Sequence, residues 1–182
     1  MTTMTPRDER TTTLRWIRAW LIFFIVALVV SGITAFPLET ELRWGSDLLR
    51  ATPIPELAPE FMAWIDRIRD ALIATNDDYP FLAYGTDWLA FAHLVIAIAF
   101  VGPLRDPVRN IWIIQWGMIC CVAVIPLALI VGSVRGIPLG WMLIDMSFGI
   151  IGIIPLLIVH RLIRKLERLD ATARDAAPPT SR

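Results

Sequence analysis

The chain has 182 residues, enough for one domain, and its formal net charge is zero, which argues against a nucleic-acid partner. Its apolar fraction of 56% and its mean hydropathy of +0.61 exceed the values of typical soluble domains. The composition therefore excludes an ordinary water-soluble globular protein and predicts an integral membrane protein.

The N-terminal segment 1–13 is polar and rich in Thr and Arg, and we predict that it is disordered and cytoplasmic. The first apolar stretch, 16–36, follows almost directly. It is longer than the roughly 7–15 apolar residues of a secretory signal peptide. We therefore expect it to be retained as a membrane-spanning helix.

Three further apolar stretches, 84–103, 111–131 and 139–160, follow along the chain. Each has about 20 residues, the length that crosses a hydrocarbon core of about 30 Å as a helix. The sequence thus predicts an all-α integral membrane protein with four transmembrane helices. We predict a single membrane domain over 14–169 and a flexible C-terminal tail over 170–182.

The segment 37–83 is the long connection of the predicted bundle. Between Phe61 and Leu72 apolar residues recur at helical spacing, and charged residues occupy the other face. A second short amphipathic helix is predicted over 38–49. We expect both helices to lie on the external membrane surface or to pack as a cap over the bundle.

The other two connections, 102–107 and 132–138, are short. Short connections make consecutive helices antiparallel neighbours. The simplest arrangement of the four predicted spans is therefore an up-down bundle.

The basic residues are divided unequally between the two sides of this bundle. If both termini lie on one side, that side has 12 of the 17 Lys and Arg residues, and the other side has five. Because cationic loops resist translocation, the asymmetry predicts that both termini are cytoplasmic. The near absence of Lys among the cations suggests a GC-rich coding sequence, so we expect the inner membrane of a bacterium.

Polar residues within the predicted spans form a second notable feature, because polar groups are costly in hydrocarbon. At 1.5 Å per residue, His93 and Asp145 lie about 13 Å and about 9 Å below the external face. The outer polar cluster predicted here consists of His93, Asp145, Asp87, Ser31, Thr34 and Ser147. It is either a small ligand-binding pocket or a set of hydrogen bonds that fixes the register of the helices.

His93 also raises the alternative of a haem or chlorin held by one axial histidine. Ligation by two histidines is excluded because His160 lies about 15 Å away in depth. The adjacent Cys120 and Cys121 are predicted to be packing residues rather than a redox pair. With no H-E-x-x-H, C-x-x-C or phosphate-loop motif, the sequence predicts no metal site, no resident cofactor and no catalytic residue.

Basic residues also form a rim at the cytoplasmic ends of the predicted spans. We expect four of them to contact the headgroups of anionic lipids. They are Arg105, Arg109, Arg161 and Arg164.

These patterns favour a non-enzymatic structural or accessory subunit whose partners are the lipid bilayer and another membrane protein or a second copy. One alternative is a binding or redox module that holds a quinone or tetrapyrrole at the outer polar cluster. Another is a small transporter whose path passes through the same cluster.

Overall fold

The computed structural model describes residues 5–175, and within this range every regular element is a helix. The predicted all-α class is confirmed. The ends of the predicted disordered segment and of the predicted flexible tail, 1–4 and 176–182, lie outside the described residues. The helices are α1 (Pro6–Thr34), α2 (Leu38–Arg50), α3 (Ile54–Leu57), α4 (Pro59–Asp78), a 3₁₀ helix (Pro80–Ala83), α5 (Tyr84–Ala99), α6 (Val101–Arg105), α7 (Ile111–Arg135) and α8 (Leu139–Asp175).

Four helical segments in the described range are long and apolar enough to cross a membrane, as the sequence predicted. They cover Arg7–Thr34, Pro80–Arg105, Ile111–Arg135 and Leu139–Arg174. The second segment joins the 3₁₀ helix to α5 and α6. The first and the last extend well past their apolar parts into charged sequence.

Helix α1 begins at Pro6, inside the segment for which we predicted disorder. The reason is local. The Thr5 hydroxyl accepts a hydrogen bond from the backbone N–H of Asp8 at 3.3 Å and donates to the Asp8 carboxylate at 2.6 Å. Thr5 thus acts as an N-cap, whose side-chain oxygen satisfies one of the amide groups that a helix start otherwise leaves unpaired.

Helix α8 continues to Asp175, so the first residues of the predicted flexible tail are also helical. Two ion pairs join this part of α8 to the start of α1. Lys165 Nζ lies 2.7 Å from the Glu9 carboxylate, and Arg10 Nε donates to Asp170 at 2.6 Å. Contacts between distant parts of the chain thus order both charged ends.

The chain forms two compact units, Met1–Val26 with Ile98–Arg182, and Ala27–Ala97. In the first unit the buried apolar residues of α8 form two groups, within 142–146 and within 156–166, and in each group they recur every three or four positions, as expected for one face of a helix. They are Met142, Met146, Leu156, Val159, Ile163 and Leu166. Ile17 and Leu21 of α1 and Ile114 of α7 are fully buried in the same unit.

Glycines let α7 and α8 approach closely. A Cβ added at Gly149 would overlap the carbonyl oxygen of Cys121. A Cβ added at Gly117 would lie 2.8 Å from the Phe100 ring and 3.0 Å from Leu156. Small residues at such positions are typical of helix packing in membranes.

In the second unit α2 and α4 form an antiparallel pair. Asn76 near the end of α4 hydrogen-bonds Glu39 at the start of α2 at 2.6 Å. Arg50 at the end of α2 pairs with Asp66 in the first half of α4 at 2.5 Å, so the two helices run in opposite directions. Ser46 and Ile65 are buried in this unit. Both amphipathic helices predicted between the first two spans are confirmed as helices.

Candidate functional site

The outer polar cluster is divided between the two units. The second unit contains Ser31 and Thr34 on α1, and Asp87 and His93 on α5; the first unit contains Asp145 and Ser147 on α8.

His93 lies on α5, half-buried, with its Nδ1–H donating to the backbone carbonyl of Leu89 at 2.8 Å. A Cβ added at Gly32 would lie 3.1 Å from His93 Cβ and 2.9 Å from the carbonyl oxygen of Ala90. The absence of a side chain at Gly32 therefore lets α1 and α5 meet at the level of the histidine. This hydrogen bond leaves the imidazole Nε2 as a lone-pair donor.

Two of the three hydroxyl groups of the cluster, those of Ser147 and Thr34, form hydrogen bonds within their own helices. Ser147 Oγ donates to the carbonyl of Ile144 at 2.6 Å, and Thr34 Oγ1 donates to the carbonyl of Ser31 at 3.3 Å. Such bonds satisfy a polar side chain in an apolar setting without a partner from another helix.

The two carboxylates of the cluster, Asp87 and Asp145, are half-buried. Across residues 5–175 neither has a hydrogen-bond or ion-pair partner. Asp87 lies in the first turn of α5, where a negative charge is favoured by the helix dipole. The helix dipole explains how the Asp87 carboxylate can be half-buried without a partner. No comparable local interaction among the described residues explains the same situation at Asp145.

The side chains that could ligate a metal do not converge. Within the described range no three His, Cys, Asp or Glu residues are grouped so that they could hold one ion. Cys120 and Cys121 are free thiols. Cys121 Sγ would lie 3.4 Å from a Cβ at Gly152, so this thiol packs at the contact between α7 and α8.

Sequence reasoning missed a polar site in the second unit. A cavity of about 310 Å³ is lined by the start of α2, the end of α4 and the start of α5. Here Glu39 accepts the hydrogen bond from Asn76 and also pairs with Arg43 at 2.6 Å. The Asn76 hydrogen bond lowers the pKa of Glu39, desolvation opposes the shift, and Arg43 adds to it. The one sequence signal was the spacing of Glu39 and Arg43, four positions apart on a helix.

A second groove in this unit runs along α4. It has a volume of about 310 Å³ and includes Trp64, Arg67 and Ile68 in its lining. Trp64 Nε1 is buried and has no hydrogen-bond partner among the described residues. The Arg67 guanidinium carbon lies 6.0 Å from the centre of the Trp64 ring, within reach of a cation–π interaction.

The predicted basic rim is only partly gathered into one site. Arg161 and Arg164 line a common cavity on α8. Arg105 ends α6, and Arg109 lies in the turn before α7, where its backbone N–H donates to the Asp106 carboxylate at 3.1 Å. Both side chains are exposed, and neither lines that cavity.

Neither a protein-family model, nor a curated protein, nor a solved structure matches the chain.

Proposed function

We propose that the protein is a multi-pass protein of the bacterial inner membrane, with four helices in an up-down bundle and both termini in the cytoplasm. Large apolar side chains on the candidate spans support this placement, since Ile119 is 67% exposed and Phe148 is 68% exposed. Such surfaces are stable in lipid rather than in water. The excess of basic residues on the side of the termini supports the orientation.

Within this placement we propose a structural or accessory role without enzymatic activity. The observation that carries the proposal is that the span residues Ser147, Thr34 and His93 each hydrogen-bond to a carbonyl of their own helix. These side chains therefore serve the helices themselves rather than a shared reaction centre. The expected partner is another membrane protein or a second copy of this chain.

Native mass spectrometry of the protein extracted in mild detergent tests this role. A subunit of an assembly is expected as a particle of fixed stoichiometry that is heavier than the 20.5 kDa chain. The partner is then identified from the mass difference and by peptide sequencing. A chain that is released alone from several mild detergents would contradict the proposal.

A second candidate function, the binding of a tetrapyrrole, is favoured by one observation. The Nδ1–H of His93 is fixed by the Leu89 carbonyl, which leaves Nε2 available as an axial ligand. Metal-binding histidines commonly have their second nitrogen oriented in this way. This function predicts a visible absorption band that His93→Ala abolishes and His160→Ala leaves unchanged. Purified protein without such a band would exclude it.

A further inference from the structure

The charged part of α8 has a basic cavity just after its apolar part. The cavity is open, has a volume of about 350 Å³, and is lined only by basic side chains. They are His160, Arg161, Arg164, Lys165 and Arg168. His160, Arg164 and Arg168 are four positions apart, and so are Arg161 and Lys165. The five side chains therefore lie on one face of the helix.

Two of these cations are neutralised by neighbouring carboxylates. Lys165 pairs with Glu9 at 2.7 Å, and Arg164 pairs with Glu167 at 3.0 Å. Arg161 and Arg168 have no ion pair within residues 5–175, and both are exposed. The cavity therefore keeps two uncompensated guanidinium groups, the side chains best suited to phosphate oxygens.

The direction of α8 points these cations toward the apolar segment. In an α-helix every Cα–Cβ bond tilts toward the N-terminus. The basic residues of α8 follow its apolar part, so their side chains start back toward that part. Arg15 and Arg18 of α1 precede the apolar part of their helix, so their Cα–Cβ bonds tilt away from it. The α8 cations are thus better placed than those of α1 to meet groups at a membrane surface.

We propose that the basic face of α8 binds the phosphate group of an anionic phospholipid, with Arg161 and Arg168 as its uncompensated cations. The inference rests on the proposed function in one respect, namely that α8 crosses a membrane. A free phosphate ion offers the same oxygen atoms, so the test must distinguish the two sources. The cavity directly follows the apolar part of α8 on the same helix, which favours a phosphate that is attached to acyl chains.

The test is native mass spectrometry of the full chain in detergent with phosphatidylglycerol or phosphatidylcholine added. We expect wild-type protein to retain phosphatidylglycerol preferentially. Arg161→Gln/Arg168→Gln is expected to weaken that retention roughly thirtyfold, from the known contribution of each basic side chain near anionic lipid. The matched control is Arg7→Gln/Arg174→Gln, which removes the same charge from α1 and α8 outside the cavity.

Loss of phosphatidylglycerol in the cavity variant alone would support the site. An equal loss in both variants would show a general charge effect and overturn it. Displacement of the lipid by millimolar inorganic phosphate, with phosphate retained in its place, would overturn the lipid as the ligand. Unchanged circular dichroism of both variants confirms that they are folded.

The lipid-binding result does not depend on the proposed orientation, because a detergent micelle does not distinguish the two sides of a membrane. A failure to bind phosphatidylglycerol is therefore distinct from a failure of the proposed topology. Extraction of the chain from membranes by carbonate alone would reveal failure of the membrane placement.

Discussion

Asn76 Nδ2 donates a 2.6 Å hydrogen bond to the Glu39 carboxylate, across 37 positions of the chain. The bond joins the end of α4 to the start of α2. It therefore fixes the register of this helix pair, and it is also the largest cause of the lowered pKa of Glu39.

Replacement of Asn76 should change the titration of Glu39. We expect Asn76→Ala to raise the pKa of Glu39 toward its ordinary value, because the carboxylate loses its strongest hydrogen bond. A pKa that is lowered by folding stabilises the fold above the pKa of the unfolded chain. That stabilisation is lost as the pH falls through the pKa of the folded protein. The difference in stability between wild type and variant should therefore disappear at acidic pH.

Carbon-13 NMR of a selectively labelled Glu39 measures this shift. Arg43→Gln is the comparison variant, because Arg43 also pairs with Glu39 and also lowers its pKa. A larger shift in Arg43→Gln than in Asn76→Ala would show that charge, and not the amide hydrogen bond, governs Glu39.

The close approach of α7 and α8 predicts that Gly149 tolerates no added methyl group. Gly149→Ala should destabilise the fold by about 1–3 kcal/mol, because its Cβ would meet the Cys121 carbonyl oxygen, which is backbone and cannot turn aside. Gly140→Ala is the matched control, since the same helix offers open space there. Thermal unfolding in detergent should show a lower midpoint for the first variant alone. Equal midpoints would mean that the two helices can separate without cost.

The ion pair between Arg10 and Asp170 predicts that the two helix ends are coupled. Asp170→Asn should increase amide hydrogen exchange in the first turns of α1, although the mutation is in α8. The expected cost is under about 1 kcal/mol because both side chains are partly exposed, at 49% and 29%. A double-mutant cycle with Arg10→Gln isolates the pair. Additive effects of the two mutations would show that it contributes no coupling.

The proposed topology predicts which positions an impermeant maleimide can reach in intact cells. In a chain with Cys120 and Cys121 replaced by alanine, Ala63→Cys on the exposed side of α4 should be labelled directly. Ala171→Cys near the end of α8 should be labelled only after permeabilisation. The reverse pattern would mean that the orientation is inverted.

The positions of the long helices could be predicted from sequence because length and hydropathy are local properties. The same is true of α2 and α4, where apolar residues recur with the period of a helix. The start of α1 could also have been predicted from the sequence. Thr5, Pro6 and Asp8 have the spacing of a capped helix with proline in its first turn, a signal hidden by the polar composition around it.

Other features depend on which parts of the chain meet, and no local pattern reveals that. Glu9 with Lys165, and Glu39 with Asn76, are pairs that only tertiary packing brings together. The hydrogen-bond partners of polar side chains in the spans are also not predictable from a local pattern. From sequence alone, Ser147 is equally suited to a neighbouring helix and to the Ile144 carbonyl that it actually contacts.

Helix α8 has 37 residues, which corresponds to about 55 Å at 1.5 Å per residue. This is roughly 25 Å more than the hydrocarbon core of a bilayer. In the proposed placement the excess projects from the membrane as a rigid arm, braced against the start of α1 by Glu9 and Lys165. The protein would then be accessible to cytoplasmic molecules well before they reach the lipid, and the length of the arm would set the distance at which they first meet it.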